Sequence, residues 1–285
     1  MDLTSVKTIK DICARYGFVF KKGLGQNFLT DNTVLDETVL AAEIENGVLE
    51  IGPGFGVLTY ALAKTGKKVV AVEVDDRLLP VLGETLAEFD NVEVVHQDIL
   101  KTDITELLND KFNGKKISIA ANLPYYITTP IITRLLELRL PVNNMVFMVQ
   151  KEVAERIAAK KSRDVGAISL YCQYFAEPEI ICTVPADSFY PPPKVDSAVL
   201  RLRMLDEPRV KVQDEELLFK VIRASFGQRR KTLANGLSGG LGLDKQTIMN
   251  IIVDCGFSET VRGETLSLED FAKIADRISE VRRGV

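Results

Sequence analysis

The sequence predicts a parallel-rich, doubly wound α/β domain followed by a smaller all-α domain, and three observations carry that expectation. Between residues 47 and 203 short β-rich runs alternate with helical stretches. The first of those runs opens into a glycine-rich turn. Past residue 205 the β character stops and only helical periodicity remains.

The β-rich runs are 48–51, 68–74, 92–96, 117–121, 145–149, 179–184 and 197–204. Several are apolar on both faces, the pattern of strands covered by helices on each side. Helical stretches fall between them at 58–64, 78–89, 131–139 and 151–160. Ahead of the first run, Leu3, Val6, Ile9, Ile12, Cys13 and Tyr16 recur at spacings of three and four. They predict a helix packed on the body, within an N-terminal extension reaching about residue 45. The segment Leu205-Asp206-Glu207-Pro208 marks the expected boundary between domains 1–205 and 206–285. Beyond it Leu217, Leu218, Val221 and Ile222 form one helical stripe, and Ile248, Ile251, Ile252 and Cys255 another, closed by Gly256. Ser267 with Asp270 predicts a capping box ahead of Phe271, Ile274 and Ile278.

Composition narrows the class without choosing a function. A chain of 285 residues has room for one large and one smaller domain. No apolar run approaches the roughly 18 residues of a membrane span, and the start of the chain lacks the basic-then-apolar order of a signal peptide. Cys13, Cys172, Cys182 and Cys255 are scattered, which argues against disulfides and a zinc site, so a cytoplasmic protein without metal is expected. The net charge of −4 disfavours nucleic acid only weakly, because a local basic face can bind phosphate on an acidic protein.

Val48-Leu49-Glu50-Ile51-Gly52-Pro53-Gly54-Phe55-Gly56 reads as strand, glycine turn, helix. Glycines there let a ligand approach the backbone where a side chain would block it. The next strand ends in Glu73, 21 residues after Gly52, where a carboxylate can accept hydrogen bonds from both hydroxyls of a ribose. Asp98 follows the third strand, placed to reach an adenine amino group. Dinucleotide sites space their glycines as G-x-G-x-x-G over a pyrophosphate. Here they fall at 52, 54 and 56 behind Glu50, which resembles the E/D-x-G-x-G-x-G loop of S-adenosylmethionine methyltransferases. NAD is the alternative ligand.

A second motif closes the strand 117–121: Asn122-Leu123-Pro124-Tyr125. It resembles the D/N-x-P-Y/F motif of methyltransferases that act on exocyclic amino groups of nucleobases. Adenine N6 is a poor nucleophile because its lone pair is conjugated into the ring. Two acceptors, the Asn122 side-chain oxygen and the Leu123 carbonyl, can bind its two hydrogens and favour a more tetrahedral nitrogen. Pro124 stiffens the turn, and Tyr125 offers a face for the base. No strong base is required, and the single histidine, His96, reads as structural.

With these residues assembled, the chain resembles the KsgA-type ribosomal RNA adenine dimethyltransferases over nearly its whole length. Gly25-Gln26-Asn27-Phe28-Leu29 matches that family's N-terminal motif, and the extended run from Asn122 to Pro130 and the segment from Phe189 to Ser197 match two others. The resemblance implies a Rossmann-like S-adenosyl-L-methionine-dependent methyltransferase domain with a helical, RNA-positioning C-terminal domain. It implies cofactor contacts at Gln26, Asn27, Leu29, Gly52, Gly54, Glu73, Asp98 and Asn122, and a base sandwiched between Tyr125 and Phe189. The implied reaction is dimethylation of two adjacent adenines near the 3′ end of 16S ribosomal RNA. The implied partner is the small (30S) ribosomal subunit, during its late biogenesis, and a monomer is expected. Ser225 to Leu233 resembles the small-subunit branch of the family. Large-subunit (23S) methyltransferases of the erythromycin-resistance type, and a non-catalytic assembly or RNA-binding factor, are the rival readings. Basic residues at Lys21-Lys22, at Lys151, Arg156, Lys160, Lys161 and Arg163, and at Arg229, Arg230 and Lys231 are the candidate RNA contacts.

Overall fold

A computed structural model describes residues 1–20, 26–159, 165–227 and 231–284. Of the basic positions above, Lys21, Lys22, Lys160, Lys161, Arg163, Arg229 and Arg230 lie outside the described residues, as does Gly25.

In chain order the elements are α1 (Val6–Tyr16), β1 (Phe28–Leu29), α2 (Asn32–Ala42), β2 (Gly47–Ile51), α3 (Val57–Ala63), β3 (Lys68–Glu73), α4 (Leu79–Thr85) and β4 (Val92–His96). They continue as α5 (Ile104–Phe112), β5 (Ile117–Asn122), α6 (Thr128–Glu137), β6 (Val142–Gln150), α7 (Lys151–Ala158), α8 (Ala167–Phe175), β7 (Ala176–Val184), β8 (Phe189–Tyr190) and β9 (Ser197–Met204). The chain ends with α9 (Glu215–Phe226), α10 (Leu233–Leu241), α11 (Lys245–Asp254) and α12 (Leu268–Arg283). Contacts divide the chain into two compact units, Met1–Ala154 with Glu177–Met204, and Glu155–Ala176 with Leu205–Val285.

Seven strands of the first unit form one sheet in the order β4-β3-β2-β5-β6-β9-β7. The pairs from β4 through β6 are parallel, and β9 runs antiparallel to β6. The expected parallel-rich α/β sheet is therefore present. Every residue of β2 is buried, as is β3 apart from Lys68, because helices cover both faces. Strand order reverses between β2 and β5, and in open α/β sheets the crevice at the carboxyl ends of such strands is where ligands bind. Gly52 follows β2 and Asn122 closes β5, so both motifs stand at that crevice.

The N-terminal helix forms with Ile9 and Ile12, and Leu3 just ahead of it, buried and Gly17 closing it in the left-handed conformation, but Val6 and Tyr16 of the expected stripe are exposed, Tyr16 turning its hydroxyl to Glu84. Helices α5 and α8 are absent from the expected stretches, and two further features near the N-terminal motif also escape the sequence pattern. Strand β1 pairs antiparallel with β8, Phe28 opposite Tyr190 and Leu29 opposite Phe189. Just beyond, the Thr30 hydroxyl and N–H both donate to the Ser188 carbonyl. Helix α2 is the other, capped by the Asp31 carboxylate, which accepts from Thr33 and Val34 N–H.

In the second unit the predicted stripes are the buried faces of α9, α11 and α12. The Ser267–Asp270 capping box is formed in both directions. Membership by contact departs from a linear boundary near residue 205 in one segment. Residues Glu155–Ala176 belong with the C-terminal helices: Tyr171 and Tyr174 of α8 pack on Phe219 of α9, with ring centroids 4.3 and 5.1 Å apart. Helix α10 is not legible in the pattern, since three of its nine residues are glycine. Those glycines permit close packing: a Cβ at Gly240 would lie 2.5 Å from the Cβ of Ala224 on α9. No helix among the described residues is long and apolar enough to cross a membrane.

Candidate functional site

A cavity of about 360 Å³ opens at the sheet crevice, entirely within the first unit. Its wall includes Gln26, Asn27, Leu29, Gly52, Gly54, Glu73, Asp98 and Asn122, so every residue expected to hold the cofactor converges on it.

The glycine turn forms one side. Gly52 and Gly54 have φ of +69° and +61°, a backbone region that favours glycine. At Gly54 the space is also taken: an added Cβ would lie 2.8 Å from the Phe28 ring. Phe28 in turn stacks on Phe55, with centroids 4.1 Å apart and planes 7° from parallel. The aromatic pair thus presses the N-terminal motif onto the glycine turn, and Phe28 itself lines the cavity.

Two acids stand behind that turn. Glu73 is buried at the end of β3, where one oxygen accepts from the Val74 and Asp75 N–H groups, both at 2.8 Å. Among the described residues its other oxygen takes only the 3.3 Å bond from the Gly54 N–H. Burial pushes the Glu73 carboxyl up, against the opposing pull of these backbone donors. Glu50, in the middle of the apolar strand β2, is 1% exposed, and among the described residues its Oε2 has no hydrogen-bond partner. Burial pushes it up to about 8 against the opposing pull of the nearby Thr59 hydroxyl, with a smaller upward push from the Glu73 charge. The sequence places Glu50 within the glycine motif without assigning it a role in the site. The available signal is its position, a single carboxylate in an otherwise apolar strand. Asp98 is less enclosed; it accepts from the Leu100 N–H at 3.0 Å and faces the Lys101 ammonium at 3.4 Å. Gln26 donates to Asp75 at 3.3 Å.

On the opposite side, the Asn122 amide nitrogen donates to the Asn27 backbone carbonyl at 3.1 Å. That bond fixes the amide, leaving Oδ1 as its acceptor end. The turn after Asn122 is pinned by the Leu123 N–H to the Met148 carbonyl, and by the Ile127 N–H and Thr128 hydroxyl to the Pro124 carbonyl. None of these bonds uses the Leu123 carbonyl.

Among the acceptor residues, Asn122 and Pro124 line the cavity, whereas Leu123, Tyr125 and Phe189 do not. Tyr125 is half-buried, its hydroxyl sharing a 2.8 Å hydrogen bond with Ser197. Phe189 is 4% exposed, packed in the core beside the β1–β8 pair, so it backs the site with almost no ring face presented. The exposed ring at the cavity is instead Tyr126, to which the motifs alone give no role. His96 lies away from the cavity wall and contacts the Val74 carbonyl at 3.3 Å. Of the basic candidates within the described residues, Lys151 and Arg156 are partly exposed and Lys231 is exposed.

Comparison with known proteins gives a consistent result. The family described as ribosomal RNA adenine dimethylase matches residues 17–280. The ribosomal RNA small subunit methyltransferases A of Bacillus cereus (strain B4264) and Bacillus mycoides (strain KBAB4) are each 50% identical to the chain over 284 residues, covering 97% of both partners. Among solved structures, a dimethyladenosine transferase from Plasmodium falciparum is similar with a TM-score of 0.72 and 25% identity, over 90% of this chain and 98% of that one. The 23S rRNA methyltransferase ErmE gives a TM-score of 0.68 at 25% identity, over 89% of this chain and 100% of that one.

Proposed function

The chain belongs to the ribosomal RNA adenine dimethylase family, and on that premise we propose that it carries methyl groups from S-adenosyl-L-methionine to adenine N6 in small-subunit ribosomal RNA. The relatives at 50% identity are small-subunit enzymes, whereas the similar large-subunit enzyme stands at 25%, which favours the small subunit as substrate. The finer target, two adjacent adenines near the 3′ end of 16S ribosomal RNA in the 30S subunit, follows the resemblance of the motifs.

The cavity suits a cationic nucleoside. Glu50, held protonated by burial up to about pH 8, has an oxygen without a hydrogen-bond partner among the described residues, and a positive group brought into the cavity would favour its ionised form. Glu73, with one oxygen lightly used, would take the ribose hydroxyls, and Asp98 the adenine amino group. Gly52, Gly54, Gln26, Asn27 and Leu29 would shape the enclosure around them. When bound, the cofactor supplies a methyl group on a positively charged sulfur.

The chain's own contribution is to prepare the acceptor. Asn122 Oδ1, aimed by the Asn27 carbonyl, and the Leu123 carbonyl would accept the two N6 hydrogens. Their grip draws the nitrogen lone pair out of conjugation and toward the methyl group, with no reorganisation at the moment of transfer. Tyr125 would carry the face of the flipped base, its ring steadied through Ser197. Stacking by Phe189 on the other face requires that ring to emerge from the core on RNA binding. Once methylated, the nitrogen is acidic enough to lose its proton to water, so no strong base is needed. Lys151, Arg156, Lys160, Lys161, Arg229, Arg230 and Lys231 are proposed to position the RNA through its phosphates.

The observation that carries this reading is the Asn122 amide, fixed at the same cavity that holds Glu73. Its test is methyl transfer from labelled cofactor to unmodified small and large ribosomal subunits. Label is expected on small-subunit adenines as N6-dimethyladenosine; label confined to the large subunit overturns the assignment.

A further inference from the structure

Tyr125 and Tyr126 are neighbours with opposite environments. Tyr125 is half-buried and tethered to Ser197. Tyr126 is 58% exposed, yet it belongs to the cavity wall beside Asn122, Pro124 and Ile127. Among the described residues no hydrogen bond, ring contact or ion pair involves its side chain. Its backbone is nevertheless well fixed. Residue 126 lies inside the turn closed by the Ile127 N–H and Thr128 hydroxyl on the Pro124 carbonyl, and α6 begins two residues later. An aromatic ring on a rigid turn, half out of a cavity and without a partner among the described residues, leaves apolar surface exposed.

We propose that Tyr126 is a stacking platform for the nucleobase flanking the target in the RNA strand, a binding subsite distinct from the pocket that receives the target itself. The inference rests on the reading of the cavity as a base-methylating site. A base that leaves its stack to enter such a cavity exposes the face of the neighbour it leaves behind. That neighbour remains at the cavity mouth, covalently one nucleotide away, where Tyr126 stands. The phenol ring takes the place of the stacking partner that flipping removes, and every base has a π-face to offer, so the platform aids positioning without selecting sequence. A purine, with the larger face, is held best. The pairing of a tethered tyrosine with a free one then has a function: one ring serves the reacting base and the next serves its neighbour.

The experiment compares the full-length protein with Tyr126→Ala, Tyr126→Leu, Tyr126→Phe and Tyr126→Trp on unmodified small subunits, with cofactor affinity measured separately by calorimetry. Leucine fills space without a ring, so it separates stacking from bulk. Removing one base–aromatic stack is expected to lower kcat/KM about tenfold in the alanine and leucine variants. Phenylalanine and tryptophan should stay within about twofold, and all four variants should keep their cofactor affinity and melting temperature. A leucine variant as active as the phenylalanine one overturns the platform, as does an alanine variant matching the parent. Weakened cofactor affinity in Tyr126→Ala also overturns it, by assigning the ring to the cofactor wall. If the parent protein fails to label small subunits at all, the methyltransferase reading fails first, and that result is read from the parent alone.

Discussion

The two walls of the cavity are built from opposite materials. The wall formed by β2 and β3 carries buried carboxylates, Glu50 and Glu73, behind glycines held at positive φ. The wall formed by β5 carries a neutral amide and a proline turn, with Tyr126 at its edge. The acidic wall offers fixed acceptors shielded from water, and burial keeps the proton on Glu50 up to about pH 8 unless a cationic ligand draws it off. A transfer step in which a neutral amine becomes cationic is served by fixed acceptor dipoles that need no proton of their own. On the proposed reading one wall binds and the other activates, and each can be broken separately.

The largest effect is expected on the activating side. Asn122→Ala removes the fixed acceptor and should lower turnover by about 100-fold or more, in line with loss of a preorganised transition-state hydrogen bond. Calorimetric affinity for S-adenosylmethionine should fall much less than turnover. Near-normal turnover would remove Asn122 from its role and dissolve the division between the walls. Glu73→Ala tests the binding side. Losing a charge-assisted acceptor of about 1.5–3 kcal/mol predicts cofactor affinity lower by roughly ten- to a hundredfold. Turnover at saturating cofactor should survive comparatively well; an unchanged dissociation constant counts against the ribose assignment.

The smallest effect sharpens the contrast in charge. Glu50 in the folded protein titrates near 8, above the ordinary glutamate value of 4.5, so between those pH values the native state binds more protons than the unfolded chain. Its contribution to stability is therefore fully present below about pH 4.5 and is lost as pH rises through 8. Glu50→Gln should remove this decline, so that the ligand-free variant gains melting temperature over the parent at alkaline pH. Parallel melting curves across that window would mean that Glu50 is not held neutral by burial.

Periodicity made the sheet legible because buried parallel strands are apolar on both faces, and runs such as 68–74 and 117–121 have few other uses. The site was legible for a different reason. Gly54 and Asn122 are residue types that a turn and an acceptor demand, and the structure gives each a cause: the Phe28 ring over one and the Asn27 carbonyl on the other. What escaped the sequence was set by tertiary contact. Strands β1 and β8 are two residues each, too short to show alternation. Phe189 carries the family's aromatic at its position, but only packing reveals that the ring is buried. Helix α8 precedes residue 205 and still belongs with the C-terminal helices, because Tyr171 and Tyr174 find Phe219. Glu50 was visible as a letter in a motif, and its unpartnered oxygen was not.

The short pairing of Phe28-Leu29 with Phe189-Tyr190 has a consequence for biosynthesis. It is reinforced by the Thr30 bond to Ser188, which joins positions 158 residues apart. During translation the N-terminal motif leaves the ribosome long before the strand that clasps it. A nascent chain halted before residue 188 contains all of β2 to β6, the glycine turn and Asn122, but lacks the partner that fastens Phe28 and Leu29 over them. Fastening of the N-terminal motif over the glycine turn therefore waits for β8 rather than for emergence of the motifs themselves.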